Sequence, residues 1–308
     1  MEVELASNEL APVMFPALNH LATDRRDAAF KICCWEQQHS GITRPPRPWG
    51  EDENFTHGEI PSFIDEDHYL HINLDTGAII AADRKARLAV FSIREARDIN
   101  TYEIAAPFRD FFNWWGSKSS LFQIHAGAIG YPDKGVLLVG RSGAGKSNTV
   151  AACIDSDLFY AGDDCCLLDT TGDLFVHSLY SSTKLYKSDL HRYRLLKKFE
   201  PLGLTTPENK ALFFLHDLAP DRVIAGFPLK AIMVLNIHQQ PDTSLSPISP
   251  AAVLLTMAPD NILRWPVVGK LAMPHLSRAV RSVPCYSLNV GNERERITAA
   301  ITGLLKSA

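Results

Sequence analysis

The pattern of apolar and polar positions changes near residue 105 and predicts two domains. Before that point, short apolar runs separated by turn clusters predict strands at residues 69–73, 78–81 and 88–92, and few long helical patterns occur. Residues 1–104 are therefore predicted to form a small α+β domain, followed by a larger domain at residues 105–308.

The larger domain is predicted to combine strands with helices. Apolar residues at 122–129 and 136–139 flank the tight connection 131–135, which predicts a hairpin. An aromatic segment at 107–115 predicts a helix that ends at Gly116, with its rings packed in a core. Further predicted strands are 158–161, 165–168, 174–177, 231–237 and 285–290, and further predicted helices are 149–154, 184–198, 250–258 and 293–306. Hairpins together with βα units favour an α/β fold with a mixed sheet.

A glycine-rich loop lies between the strand at 136–139 and the helix that follows it. It matches G-x-x-x-x-G-K-[ST], and its residues with the one after it are Gly140, Arg141, Ser142, Gly143, Ala144, Gly145, Lys146, Ser147 and Asn148. Glycines let successive backbone N–H groups point at phosphates, and the helix N-terminus adds positive charge. Chance gives the bare pattern in about one chain in a hundred of this length. We therefore predict a nucleoside triphosphate site in which Lys146 contacts the β- and γ-phosphates and Ser147 binds Mg²⁺.

Two adjacent aspartates, Asp163 and Asp164, follow the next predicted strand. They fall on the far side of the loop's own helix, which places their carboxylates near the γ-phosphate. Phosphoryl transfer needs one acid group to hold Mg²⁺ and another to accept the proton of the acceptor hydroxyl. Gly162-Asp163-Asp164 could also be an ordinary turn, but the phosphate loop upstream favours the catalytic interpretation.

Two other features have weaker signals. His125 lies in an apolar run, where a histidine is more often a packed core residue than a catalytic group. The stretch 184–198 carries cationic side chains that could bind phosphates or an acidic peptide, although a charge run more often faces solvent. These side chains are Lys184, Lys187, His191, Arg192, Arg194, Lys197 and Lys198.

The overall charge and hydropathy restrict the partners and the location. A formal net charge of −4 and a pI near 6.3 provide no general attraction to nucleic acid or to anionic membranes. The longest apolar stretches fall far short of the ~20 residues that span a bilayer. The acidic start of the chain lacks the basic and apolar regions of a secretory signal, so we expect a cytoplasmic protein.

Three motifs together resemble the HPr kinase/phosphorylase family: His125-Ala126-Gly127-Ala128, the loop 140–147 and Gly162-Asp163-Asp164. Within that resemblance, the chain looks more like the HPr-kinase-like kinases of peptide-modification clusters, which include kinases that phosphorylate a serine of lasso-peptide precursors. The likeness covers residues 120–180 well and the remainder loosely. It implies a P-loop domain related to phosphoenolpyruvate carboxykinase, with Asp163 as catalytic base and Asp164 beside it as a Mg²⁺ partner. It also implies a supporting or catalytic role for His125.

The same resemblance implies the cofactors and the partners. They are ATP, with GTP as an alternative, Mg²⁺, and a peptide or small protein as acceptor, which the N-terminal domain would recognise. A homo-oligomer is also implied, since the family's prototype is a hexamer. The glycine-rich second signature of the family is absent, and residues 177–185 read H-S-L-Y-S-S-T-K-L instead. This departure implies an acceptor other than HPr.

Two other kinds of activity share these motifs. A nucleotide-dependent regulatory or assembly ATPase would use the same loop to drive a conformational switch, and a small-molecule kinase or carboxykinase would differ only in its acceptor pocket. A GTPase switch would normally add an N-K-x-D motif. That motif is missing, since Asn209-Lys210 is followed by Ala211-Leu212.

Overall fold

A computed structural model describes residues 1–46, 62–198, 203–238, 240–263 and 269–307. The chain divides into two compact units. The first consists of Met1–Pro16 and Ala22–Trp115, and the second of Ala17–Leu21 and Gly116–Ala308. The division thus follows Trp115, whereas the sequence predicted a boundary between residues 104 and 105.

The first unit is built on a six-stranded mixed sheet in the order β1-β2-β6-β5-β4-β3. Its strands are β1 (Glu2–Leu5), β2 (Lys31–Glu36), β3 (Ser62–Ile64), β4 (His68–Ile72), β5 (Ile79–Asp83) and β6 (Leu88–Ile93), and its helices are α1 (Ala11–Met14), α2 (Gln37–Ser40), α3 (Thr101–Ala105) and α4 (Arg109–Gly116). The strands predicted at 69–73, 78–81 and 88–92 are β4, β5 and β6. Helix α4 buries Phe111 and Trp114, so the predicted aromatic helix does pack in a core.

The second unit contains the remaining elements. Its strands are β7 (Leu121–Ile124), β8 (Gly127–Tyr131), β9 (Lys134–Val139), β10 (Phe159–Gly162), β11 (Cys166–Asp169), β12 (Phe175–Ser178), β13 (Ser182–Tyr186), β14 (Lys210–Phe214), β15 (Gly226–Ile237), β16 (Ser244–Pro247) and β17 (Cys285–Val290). Its α-helices are α5 (Lys146–Ile154), α6 (Leu215–Leu218), α7 (Pro250–Ala258), α8 (Gly269–Ser282) and α9 (Arg294–Ser307). Within the described residues, nine of these strands form one sheet and β13 pairs with β14.

The nine-stranded sheet is mixed, as the sequence predicted for an α/β fold. Strand β15 runs parallel to β9 on one side and to β17 on the other, whereas β8, β10, β11 and β12 pair antiparallel with their neighbours. The predicted hairpin is β8–β9, with Tyr131 opposite Lys134. Because β8 is antiparallel to both β9 and β10, the carboxyl ends of β9 and β10 lie at the same edge of the sheet.

Both faces of this sheet are covered by helices, which explains the uninterrupted apolar run of β9. Side chains alternate across a strand, so Val136 and Leu138 pack with α5 and α9 on one face. Leu137 and Val139 pack with α7 and α8 on the other face. The sheet is thus held rigidly between two layers, and the loop that follows Val139 starts from a fixed point.

Two sequence predictions about local structure are wrong. The apolar run 122–129 is not one strand, because β7 pairs with β11 while β8 pairs with β9 and β10. The chain leaves one part of the sheet at Ile124 and joins another at Gly127. The basic stretch 184–198 is not an α-helix either. Its first residues belong to β13, and 3₁₀ turns follow at Lys187–Arg192 and Leu196–Lys198.

No helix in the described parts of the chain is both long enough and apolar enough to cross a bilayer.

Candidate functional site

The glycine-rich loop joins β9 to α5 and contains two glycines in a left-handed backbone conformation. Gly143 and Gly145 adopt φ values of 81° and 87°, a left-handed region that side chains disfavour. At Gly140 a Cβ atom would lie 2.8 Å from the Cβ of Ala144, so the turn closes tightly only without one. The loop therefore brings backbone N–H groups to the N-terminus of α5, where an anion is favoured.

Lys146 is the first residue of α5 and is buried in the loop. Its side chain is 6% exposed, and its ammonium donates hydrogen bonds to the carbonyl oxygens of Gly140 at 2.7 Å and Arg141 at 3.4 Å. Burial lowers the pKa of Lys146, while the charge of Asp164 acts in the opposite direction. The ammonium is thus held within the phosphate loop rather than in solvent.

Other residues of the predicted loop differ in exposure and partners. Arg141 and Ser142 are exposed at the tip of the loop. The side-chain amide of Asn148 donates to Asp189 Oδ2 at 3.2 Å. The Asn148 side chain thus has a partner within the protein.

Asp163 follows β10 and is the most buried acidic group of the site. It is 2% exposed and accepts two hydrogen bonds, from the Ser147 hydroxyl to Oδ1 at 3.1 Å and from the Thr183 hydroxyl to Oδ2 at 2.7 Å. Burial, and then the charge of Asp164, raise the pKa of Asp163 to about 6, although the two hydroxyl groups oppose this rise. The carboxylate is therefore held by two hydrogen bonds, and its pKa is closer to neutral pH than that of an ordinary aspartate.

Asp164 is adjacent in sequence but has a different environment. Its backbone is left-handed, with a φ of 68°, and its Oδ2 atom lies 2.7 Å from the ammonium of Lys184. Burial alone would raise the pKa of Asp164, but the positive charges of Lys184, His125 and Lys146 outweigh it and hold the pKa below its usual value. Asp164 is therefore the more acidic member of the pair.

The sequence missed Thr183 and Lys184 as partners of the two aspartates. Thr183 is 1% exposed and Lys184 is the next residue of β13, so one strand contacts both carboxylates. Lys184 was predicted only as a member of a basic helix. Lys184 lies opposite Leu212 because β13 pairs with β14, and no local sequence pattern predicts that pairing.

His125 lies in the short connection between β7 and β8, at the edge of the sheet where the loop and the aspartates emerge. Its backbone N–H donates to the side-chain Oδ1 of Asn261 at 2.8 Å, and Asn261 is 3% exposed. The Asn261 amide in turn donates to the Met257 carbonyl at 2.9 Å. Asn261 therefore anchors the connection that holds His125 within electrostatic reach of Asp164.

Oxygen ligands of the kind that Mg²⁺ prefers meet at this site. The Ser147 hydroxyl and the Asp163 carboxylate are in contact, and Asp164 is the adjacent residue. Among the described residues, no cluster of three or more His, Cys, Asp or Glu side chains is arranged to hold a metal by itself. Mg²⁺ at nucleotide sites is usually held by one or two carboxylates together with phosphates and water. The residues present fit that mode of binding.

The basic residues of segment 184–198 lie in different environments. Lys184 pairs with Asp164, whereas Lys187 and Lys197 are exposed. The Arg194 guanidinium donates to the Asp155 backbone carbonyl, at the end of α5. Of the predicted cluster, only Lys184 is placed by the structure beside the aspartate pair, and nothing is described of the Lys198 side chain.

Comparisons with known proteins add little to this geometry. No protein-family model matches the chain, and no curated protein matches it. Among solved structures, the HPr(Ser) kinase/phosphatase from Coxiella burnetii matches over 60% of this chain and 97% of that chain. The sequence identity is 11% and the TM-score is 0.33. A likeness of that size supports no conclusion about activity, which must be inferred from this chain's own loop and aspartates.

Proposed function

We propose that this protein is an ATP-dependent kinase that transfers the γ-phosphate to a serine hydroxyl of a peptide or small protein. The observation that carries the proposal is the buried Asp163 carboxylate, fixed by the phosphate-loop Ser147 and by Thr183. A carboxylate whose pKa is raised toward neutrality is suited to general-base catalysis at physiological pH. The hydrogen bond between Ser147 and Asp163 supports a base that lies beside the group to be transferred.

The residues divide the work of phosphoryl transfer among them. The loop N–H groups and Lys146 bind the β- and γ-phosphates. Ser147 and Asp164, with Asp163 beside them, would hold Mg²⁺, which neutralises phosphate charge when bound. Asp163 accepts the proton of the serine hydroxyl as the serine oxygen forms a bond to the γ-phosphorus. The bond between that phosphorus and the β,γ-bridging oxygen breaks, and ADP leaves. Asn261 positions the connection that carries His125, whose charge favours the ionised form of Asp164.

The direct test is phosphate transfer from γ-labelled ATP to a serine peptide, beside the same peptide with alanine in place of the serine. The first peptide to use is a lasso-peptide precursor, because the likeness of the sequence motifs to kinases of peptide-modification clusters favours that acceptor. We expect label in the serine peptide alone. Labelled inorganic phosphate without labelled peptide would support the regulatory ATPase instead, and transfer only to small alcohols would support a small-molecule kinase.

Replacing Thr183 by valine should shift the pH dependence of turnover. The Thr183 hydroxyl favours the ionised form of Asp163, so its loss raises the pKa of the base further. A base must be deprotonated to act, and the rising limb of kcat against pH should therefore move to higher pH, by about one unit for a hydrogen bond of roughly 1.5 kcal/mol to a charged group. The measurement is a pH–rate profile at saturating ATP.

The matched control is Thr183→Ser, which keeps the hydroxyl and should restore the profile of the unmodified protein. If valine lowers kcat equally at every pH, Thr183 has only a structural role in the site.

A further inference from the structure

Lys184 has a protein partner inside the candidate site. Its side chain is 15% exposed and its ammonium lies 2.7 Å from Asp164 Oδ2. The Asp164 side chain is 36% exposed, so it is the more accessible member of the pair. Asp164, the carboxylate proposed above as a metal ligand, therefore forms an ion pair with a lysine of the same chain.

The backbone positions of the two residues place this ion pair. Asp164 holds a φ of 68°, a conformation that costs free energy outside glycine and that Asp tolerates better than most residues. On the other side, Lys184 is fixed by β13, whose register with β14 runs from Ser182 opposite Phe214 to Tyr186 opposite Lys210. Both partners are thus held by the fold, and the ion pair is not a chance encounter of flexible surface side chains.

The other lysine of the site is also engaged by the protein. Lys146 donates to the Gly140 and Arg141 carbonyl oxygens, and its positive charge acts on Asp164 together with that of Lys184. A divalent cation that approaches Asp164 would meet the Lys184 ammonium, and the charge of Lys146 acts on the same carboxylate. Like charges that share one carboxylate repel each other, so metal and lysine compete for it.

We propose that Lys184 and a divalent cation are alternative partners of Asp164. In the absence of nucleotide Lys184 keeps the metal out, and when the metal arrives with nucleotide, Lys184 leaves Asp164 and turns its ammonium to the phosphates. The inference rests on the proposed function, because it assumes that this loop binds nucleotide with a metal. It makes Lys184 a positioning residue that links metal binding to nucleotide binding.

The test measures Mn²⁺ binding to the full-length protein by electron paramagnetic resonance of the free ion, first without nucleotide. Lys184→Met should bind Mn²⁺ at least about tenfold more tightly than the unmodified protein, since one positive charge beside Asp164 is gone. Lys187→Met removes an exposed lysine of the following turn and should change nothing. Asp164→Asn added to Lys184→Met should abolish the gain, which assigns it to this carboxylate.

The second part of the test repeats the titration with β,γ-imido-ATP. Here Lys184→Met should weaken binding of the Mn²⁺–nucleotide complex, the opposite direction from its effect on Mn²⁺ alone. A merely structural lysine would weaken both. Unchanged or weaker binding of Mn²⁺ alone to Lys184→Met overturns the inference. If the methionine variant does not fold, the same two titrations are made with Lys184→Gln, which has an uncharged polar side chain and the same expected results.

The two hypotheses fail in different ways. If the unmodified protein does not bind β,γ-imido-ATP with any divalent metal, the proposed kinase function is wrong. If it binds the analogue and Lys184→Met shows no gain with Mn²⁺ alone, only the role of Lys184 is wrong.

Discussion

Replacing Lys146 by alanine should abolish phosphate transfer and strongly weaken nucleotide binding. Lys146 is 6% exposed and its ammonium is held by the loop carbonyl oxygens of Gly140 and Arg141, so no solvent-exposed lysine can take its place. Hydrogen bonds that involve a charged group each contribute about 1.5–3 kcal/mol, and the loss of the contacts to the β- and γ-phosphates should lower nucleotide affinity by roughly a hundredfold or more. Titration calorimetry with β,γ-imido-ATP and Mg²⁺ measures this loss directly.

Lys187→Ala is the matched control for that experiment. It removes an equal charge from the exposed turn after β13, and it should leave both affinity and transfer within about twofold, as expected for a surface substitution. Circular dichroism should show that Lys146→Ala keeps its fold. Full transfer by a folded Lys146→Ala protein would remove the kinase proposal altogether.

The features of the site that the sequence could predict are those encoded in short stretches. Gly143 and Gly145 are required by local backbone geometry, and Lys146 and Ser147 follow them within the same motif. Asp163 and Asp164 were predicted to lie near the loop, and β8 brings them there by pairing antiparallel with both β9 and β10. A motif of this kind works through consecutive residues, so it is readable without knowledge of the fold.

The partners of the aspartates could not be predicted, because they come from distant parts of the chain. Asn261 anchors His125 across 136 residues, and its position depends on the turn that follows α7. Thr183 and Lys184 reach the aspartates only because β13 pairs with β14. The cationic spacing of 184–198 favoured a helix, but the strand pairing outweighed this local preference.

The division of the run 122–129 has the same physical cause. Apolar side chains fit a strand on either side of His125, and nothing in the local pattern states that the two halves have different neighbours. Which strand each half pairs with depends on the arrangement of the whole sheet, in which β7 pairs with β11. The interruption at His125 is therefore a tertiary feature, and it is also what places this histidine at the edge where the loop and the aspartates emerge.

Replacing Asp163 by asparagine should separate turnover from nucleotide binding and from stability. The proposed general base is lost, so kcat should fall by about 10²–10⁴-fold, the usual contribution of such a group. Affinity for ATP should stay near normal, because Lys146 and the loop N–H groups remain. Single-turnover transfer and calorimetry on the same preparation compare the two effects. An equal loss of binding and of turnover would instead indicate that Asp163 organises the loop.

The same substitution should also make the free protein more stable at neutral pH. The pKa of Asp163 is raised from 3.8 to about 6 in the folded protein, so the fold favours the protonated form. The stability that this group contributes is present below pH 3.8 and is lost as the pH rises through about 6. Asparagine avoids that loss, which amounts to about 1–3 kcal/mol for a group that is 2% exposed.

Asp164→Asn is the matched control for the stability effect, because it should have the opposite sign. The pKa of Asp164 is lowered, so the fold favours its ionised form, and removing the charge leaves Lys184 without its partner. Thermal unfolding of both variants from pH 4 to 7.5 should show the gain for Asp163→Asn growing with pH, while Asp164→Asn stays below the unmodified protein at neutral pH. Destabilisation by both variants at pH 7 would contradict this assignment of opposite effects to the two carboxylates. Only a carboxylate whose ionised form lowers the free energy of unfolding gives a more stable protein when its charge is removed.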